Sequence, residues 1–217
     1  KLAPVSPELK ASRNEMKSNT GEGRQALQQA RLLGVAGKVD KALAAYEKLY
    51  GGVPDDVDVA IEYWTLVARL PSRHSEGVSQ LKKLNASAPG NVSLLTSLAK
   101  QMFADNKPQE GFAYLAEMAR SASGRGIAAD MWFSEVKSMP VSKASVQALQ
   151  QFLLQFPTGS VAANARVLLD QQQAQLQDPT FRARSEGLAA VKSGNTTQAV
   201  ADLQKAVQAD SRDSDAV

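Results

Sequence analysis

Apolar residues recur along most of this chain at intervals of three and four. Leu27, Ala30 and Leu33 form one such set, Leu43, Tyr46 and Leu49 a second, and Ile61, Trp64, Val67 and Ala68 a third. Leu94, Leu95, Leu98 and Met102, then Val146, Leu149, Phe152 and Leu153, continue it. That period places each set on one face of an α-helix. No pair of segments alternates as paired strands would, so the spacing predicts an all-α chain. Helix starts are marked at Ser6-Pro7-Glu8 and Asp178-Pro179-Thr180, where a capping side chain precedes a proline in the first turn.

The helices also repeat as a unit. Gly37, Ala42, Tyr46 and Pro54 set a template. The glycine ends a helix in a left-handed conformation, the small residue lets the next helix approach, the large one fills the gap, and the proline closes the unit. The small position returns as Gly77 and Gly111, and the large one as Leu81 and Leu115, at steps of 35 and 34. Pro54 returns as Pro89. The segment GLAAVKSGNTTQAVADLQKAV repeats the pattern through Gly187, Gly194, Ala199, Leu203 and Ala206. A small-small-large pattern with a period of about 34 resembles the tetratricopeptide repeat. The fold expected is a tetratricopeptide-repeat α-solenoid, a right-handed superhelix of antiparallel helix pairs.

The rhythm then breaks. With Ala148 in the small position of a fourth unit and Phe152 in the large one, the step to Ala199 exceeds one repeat by a helix and a turn. An extra helix is therefore expected near 160–177, bracketed by Pro157 and Gly159 on one side and Pro179 on the other. The organisation expected is repeat units near 23–56, 57–90, 91–124 and 125–157 within an N-terminal region 1–157. An irregular inserted helix and hinge at 158–179 follows, then a repeat and the start of another at 180–217. Lys1 to Pro4 reads as the tail of a helix, and Asp213 to Val217 as the opening of a further repeat.

Composition narrows the chemistry. The chain has 43% apolar residues and a net charge of +3 spread along its length, without the basic stripe that marks nucleic-acid binders, so no nucleic-acid partner is expected. There is no cysteine, which removes thiol nucleophiles and cysteine-ligated zinc. No apolar run is long enough to span a bilayer, so no membrane insertion is expected. The one histidine, His74, reads as solvated. Gly21-Glu22-Gly23 and Gly124-Arg125-Gly126 lack the Lys-Ser/Thr sequel of a phosphate loop. Asp55, Asp56 and Asp58 read as helix-start residues. The expectation is no enzyme, no cofactor and no metal.

Binding is expected along the concave groove that the first helix of each pair would line. The groove-facing candidates are Arg24, Arg31, Glu62, Tyr63, Arg69, Lys100 and Phe103. They mix basic and aromatic character, which suits acidic or carbohydrate partners. Trp64 and Trp132 read as core, whereas Tyr63 lies one position off the core stripe and reads as a surface contact. The carboxylate clamp of chaperone-binding repeat proteins is missing: the matching positions hold Leu27, Arg31, Tyr63, Ser93 and Ser97. A general peptide-binding adaptor is the alternative reading.

Five stretches carry a closer likeness: GRQALQQARL (23–32), EYWTLVARLPSR (62–73), EGFAYLAEMA (110–119), MPVSKASVQAL (139–149) and DPTFRARSEGLAAVKSG (178–194). Together they resemble the periplasmic repeat region of the bacterial cellulose synthase operon protein C family. That resemblance implies a non-catalytic periplasmic scaffold within a longer outer-membrane protein. It implies protein subunits of the cellulose synthase complex as partners, with the glucan chain or peptidoglycan as further ones.

Overall fold

In the computed structural model the described residues are 20–209. The helix start at Ser6 and the two interrupted repeats at the chain ends lie outside them. Among the described residues there are eleven α-helices and no strand, an all-α tandem-repeat fold of tetratricopeptide type. The chain divides at Ala128/Ala129 into two compact units.

The first unit contains α1 (Gly21–Val35), α2 (Val39–Tyr50), α3 (Val57–Val67), α4 (His74–Ser87), α5 (Val92–Ala104) and α6 (Pro108–Met118). They pack as the pairs α1/α2, α3/α4 and α5/α6, with each pair stacked on the next. Side chains cap the first helix of each pair: Thr20 accepts from the Gly23 amide at 3.0 Å, Asp56 from Val59 at 2.9 Å and Asn91 from Leu94 at 3.0 Å. Each bond satisfies an amide that the helix itself leaves free. Asp56 is thus a cap, as its position suggests.

Spacing becomes packing at two positions of the template. The large residues Tyr46, Leu81 and Leu115 are each at most 1% exposed, worth about 2 kcal/mol apiece in apolar burial. At the small position of the second pair, a Cβ on Gly77 would lie 2.4 Å from the Ala68 amide nitrogen. Only glycine lets α4 approach the end of α3 so closely. The turn before α2 holds Gly37 at φ 75°, and the equivalent turn before α6 holds Asn106 at φ 56°. In both, the following amide reaches back to a carbonyl, Lys38 to Leu33 and Lys107 to Met102, closing the helix end.

A longer helix, α7 (Ala122–Ser138), leads into the second unit, which holds α8 (Lys143–Gln155), α9 (Ser160–Gln177), α10 (Pro179–Lys192) and α11 (Thr196–Ala209). Trp132 and Phe133 of α7 meet Phe156 and Phe152 at ring separations of 5.9 and 5.8 Å. Trp132 is core, as Trp64 is in α3.

The register of the fourth unit differs from the spacing argument. The residues of α8 that are fully buried are Ser145, Leu149 and Phe152, while Ala148 is half-buried. The small position is therefore Ser145 and the large one Leu149, each 34 beyond its counterpart in the third pair. Ser145 reads as polar, yet it is buried because its hydroxyl donates to Gln172 Oε1 at 2.7 Å while its amide and Ser142 exchange capping bonds. Helix α9 occupies the span assigned to an added helix, and it packs against both α8 and α10. Asp178 caps α10 with Pro179 in its first turn.

Candidate functional site

Of the predicted groove residues in the first two pairs, Arg31 and Glu62 come together, whereas Tyr63 and Arg69 bond to residues outside the predicted set. Arg31, on α1, donates through Nε and Nη2 to both carboxylate oxygens of Glu62 on α3, each at 2.8 Å. The Tyr46 hydroxyl, from α2, donates to Glu62 Oε2 at 2.8 Å. One carboxylate thus gathers three helices belonging to two successive pairs. A bidentate guanidinium–carboxylate pair is directional as well as attractive. The hydrogen bond to Glu62 raises the Arg31 pKa further. Burial first, and then the bond to Glu62, push the Tyr46 phenol above its ordinary range.

Tyr63 does not offer a surface contact. It is 2% exposed, it donates to Glu47 Oε1 at 2.7 Å, and its ring stands edge-on to Trp64 and Tyr46 at 5.0 and 6.3 Å. The one-position offset from Trp64 misleads because α3 is covered by pairs on two sides. Seven of its eleven residues are buried, far more than a single stripe. Arg69 Nη1 donates to the Gly34 carbonyl at 3.0 Å, joining the ends of α3 and α1. Thr65 donates to Ser97 at 3.0 Å, joining α3 to α5. Phe103 is half-buried and stacks edge-on against Phe112 at 5.1 Å, within its own pair.

Of the seven candidates, Arg24 and Lys100 remain as exposed cations on first helices. Arg31, Glu62 and Arg69 hold successive pairs in register through partners about one repeat away, Tyr63 joins the same seam through Glu47, and Phe103 packs within its own pair. Sequence reasoning also missed His74. Its side chain is 31% exposed rather than solvated: Nδ1 donates to the Ala68 carbonyl at 2.6 Å, and Nε2 lies 2.7 Å from Asp105 Oδ1. A lone histidine between Arg73 and Ser75 carries no sequence signal for those partners. Lys82 on α4 donates to Glu110 on α6 at 3.0 Å, which raises the lysine's pKa and lowers the glutamate's.

Among the described residues, no group of three or more His, Cys, Asp or Glu side chains is placed to hold a metal ion. No helix among them is long and apolar enough to cross a membrane.

No family model matches the chain. It is 49% identical over 216 residues to cellulose synthase operon protein C of Salmonella typhimurium and 48% identical over 216 residues to that of Escherichia coli. Both alignments cover 100% of this chain, which spans 18% and 19% of the length of those relatives. Among solved structures it is similar to the flexible tandem repeat domain of a bacterial cellulose synthase subunit, with a TM-score of 0.64 and 49% identity. That match covers 82% of this chain and 73% of the other.

Proposed function

Because this chain belongs to the bacterial cellulose synthase operon protein C family, sharing its tandem repeat domain, we propose that it is a non-catalytic periplasmic scaffold for cellulose synthesis and export. In this reading it mediates protein–protein assembly between the inner-membrane synthase and the outer-membrane export channel. Its partners are subunits of that complex, with the glucan chain or peptidoglycan as further ones. The observation that carries the reading is the match to a tandem repeat domain over 82% of the chain at 49% identity, joined to what the charged groove residues do here.

A scaffold must hold its own shape before it holds anything else. In repeat proteins that shape comes from each unit's contacts with its neighbours. The Arg31–Glu62–Tyr46 cluster and the Arg69–Gly34 bond supply such contacts. Arg24 and Lys100 are the exposed groove cations left to meet a partner.

The test replaces this segment, within the full-length protein, by an unrelated helical repeat of the same number of units. Cellulose secretion is read by dye binding to intact cells, and co-purification of synthase subunits is read from solubilised membranes. Loss of both is expected, while the protein itself still reaches its compartment. Unchanged secretion and unchanged co-purification would overturn the proposal.

A further inference from the structure

A cleft of about 560 Å³ opens on the first unit away from the Arg31–Glu62 cluster, between α4 and the turn that joins α5 to α6. One wall is a stripe of α4 with Ser75, Ser79 and Lys82 at intervals of three to four, running on to Ala86. The stripe is about 16 Å long at the helical rise per residue. The other wall is the Asp105–Lys107 turn, in which Asn106 takes the left-handed conformation.

Charge in the cleft is one-sided. Lys82, Lys83 and Lys107 line it, all of them exposed. Its one carboxylate, Asp105, is only 22% exposed and is engaged 2.7 Å from His74 Nε2. Glu110, which receives Lys82 at 3.0 Å, lies outside the lining and is 48% exposed, so an incoming carboxylate can replace it. The floor is apolar, from Val78 and Ala86. The lining holds no Trp, Tyr or Phe, and its one aromatic ring, His74, is held through both nitrogens by Ala68 and Asp105, so the cleft lacks the broad flat surface that a sugar ring would stack on.

We propose that this cleft receives an acidic peptide segment of a partner protein, its Asp or Glu side chains on Lys82, Lys83 and Lys107 and a small apolar side chain over Val78. The length of the stripe matches about five residues of extended chain. Complementary charge of this kind steers association and fixes register more than it adds raw affinity. The inference concerns a second surface and does not depend on the export-complex reading.

Fluorescence anisotropy with a fluorescein-labelled polyglutamate peptide, titrated with the full chain at low salt, tests it. The variant Lys82→Gln/Lys83→Gln/Lys107→Gln should bind about tenfold more weakly. Ser79→Trp, which fills the cleft at unchanged charge, should weaken binding by a similar factor. The control Lys38→Gln/Lys41→Gln/Lys48→Gln, all exposed positions near or on α2, should change it by about twofold or less. Circular dichroism of every variant should match the parent, because only exposed side chains change. An equal loss in the control triple, or full binding by Ser79→Trp, would reduce the effect to diffuse charge and overturn the site. Equally tight binding of oligogalacturonate would overturn the peptide assignment.

Discussion

The seam between the first two helix pairs and the seam around α9 solve the same problem with different materials. Between the first two pairs, a core of Tyr46, Tyr63 and Trp64 is overlaid by a carboxylate that receives a guanidinium and a phenol. Around α9 only three of eighteen residues are buried, two of them alanines, and the third is Gln172 bonded to Ser145. Where the period is kept, long side chains from neighbouring helices meet at a fixed offset and can be reused. Where an extra helix enters, the offset is lost, and a close approach of small residues with one buried hydrogen bond sets the register. The first seam is broad and redundant, whereas the second depends on few atoms.

The largest effect should come from the small positions, and it should differ between the units. A Cβ at Gly77 meets backbone at 2.4 Å, the Ala68 nitrogen, whereas one at Gly187 meets the Leu203 side chain at 2.7 Å and backbone only at 3.2 Å, the Leu203 nitrogen. Backbone cannot turn aside, and half-exposed Leu203 can. Gly77→Ala should therefore cost about 3 kcal/mol. Gly187→Ala should cost about 1 kcal/mol or less, since the helix gains propensity as the leucine shifts. Urea denaturation of the two variants measures both, and equal costs would show that the two close approaches are alike.

Next in size is the buried pair at the α9 seam. Ser145→Ala leaves the Gln172 amide buried without its donor, and a loss of about 2 kcal/mol is expected. Gln172→Leu with Ser145→Ala should recover part of that, because no buried polar group is then stranded. A double-mutant cycle with no coupling would show that the hydrogen bond does not set this seam.

The first seam should respond less to any single change. Glu62→Gln weakens the pair with Arg31 but leaves both helices packed through their aromatic core, so about 1 kcal/mol is expected. Its pH dependence has a definite sign. Tyr46 and Tyr63 both have phenol pKa values raised above 10.0 in the folded chain, by burial first and then by Glu62 and Glu47. Above that pH the unfolded chain loses protons that the folded one keeps, so stability is full below about pH 10 and falls as pH rises. Tyr46→Phe/Tyr63→Phe should flatten the alkaline limb of a stability–pH curve. A slope unchanged by the double substitution would trace it to other groups.

The two seams should also differ in mobility. We propose that 158–179 acts as a joint, because Pro157, Gly159 and Pro179 interrupt helical continuity on both sides of α9. Arg166 donates to the Pro157 carbonyl, and Ser145 to Gln172, so α9 is tied to α8, and movement is expected between α9 and α10. Spin labels at exposed Gln150 and Gln204 should give a broad distance distribution. A single narrow peak would show a fixed bend.

Much of this architecture was readable because it depends on local residue type: a small residue meets a neighbouring helix, a large one fills the pair, and Gly37 turns the chain. The fourth register was not, since Ser145 is buried through a partner 27 residues away, and nothing local distinguishes it from a solvated serine. Tyr63 was misplaced because a single-stripe picture fails for a helix covered on two sides. The groove candidates were legible as positions but not as roles. Arg31 and Glu62 lie 31 residues apart, and their mutual neutralisation follows only from how the pairs stack.

The smallest effect tests the turn itself. Asn106 is the one non-glycine with positive φ among the described residues, at 56°, where the equivalent turns hold Gly37 and Gly194 at 75°. Asparagine visits this region at some cost, which glycine escapes, although glycine gives the unfolded chain more freedom to lose. The two terms oppose, so Asn106→Gly should change stability by only about 0.5 kcal/mol in either direction, while Asn106→Val should cost more than 1 kcal/mol, roughly. The turn also carries Asp105 and Lys107, so Asn106→Gly should leave polyglutamate binding unchanged if it keeps this conformation. If Asn106→Val were tolerated as well as Asn106→Gly, the left-handed turn would not be what closes α5 and presents these two side chains.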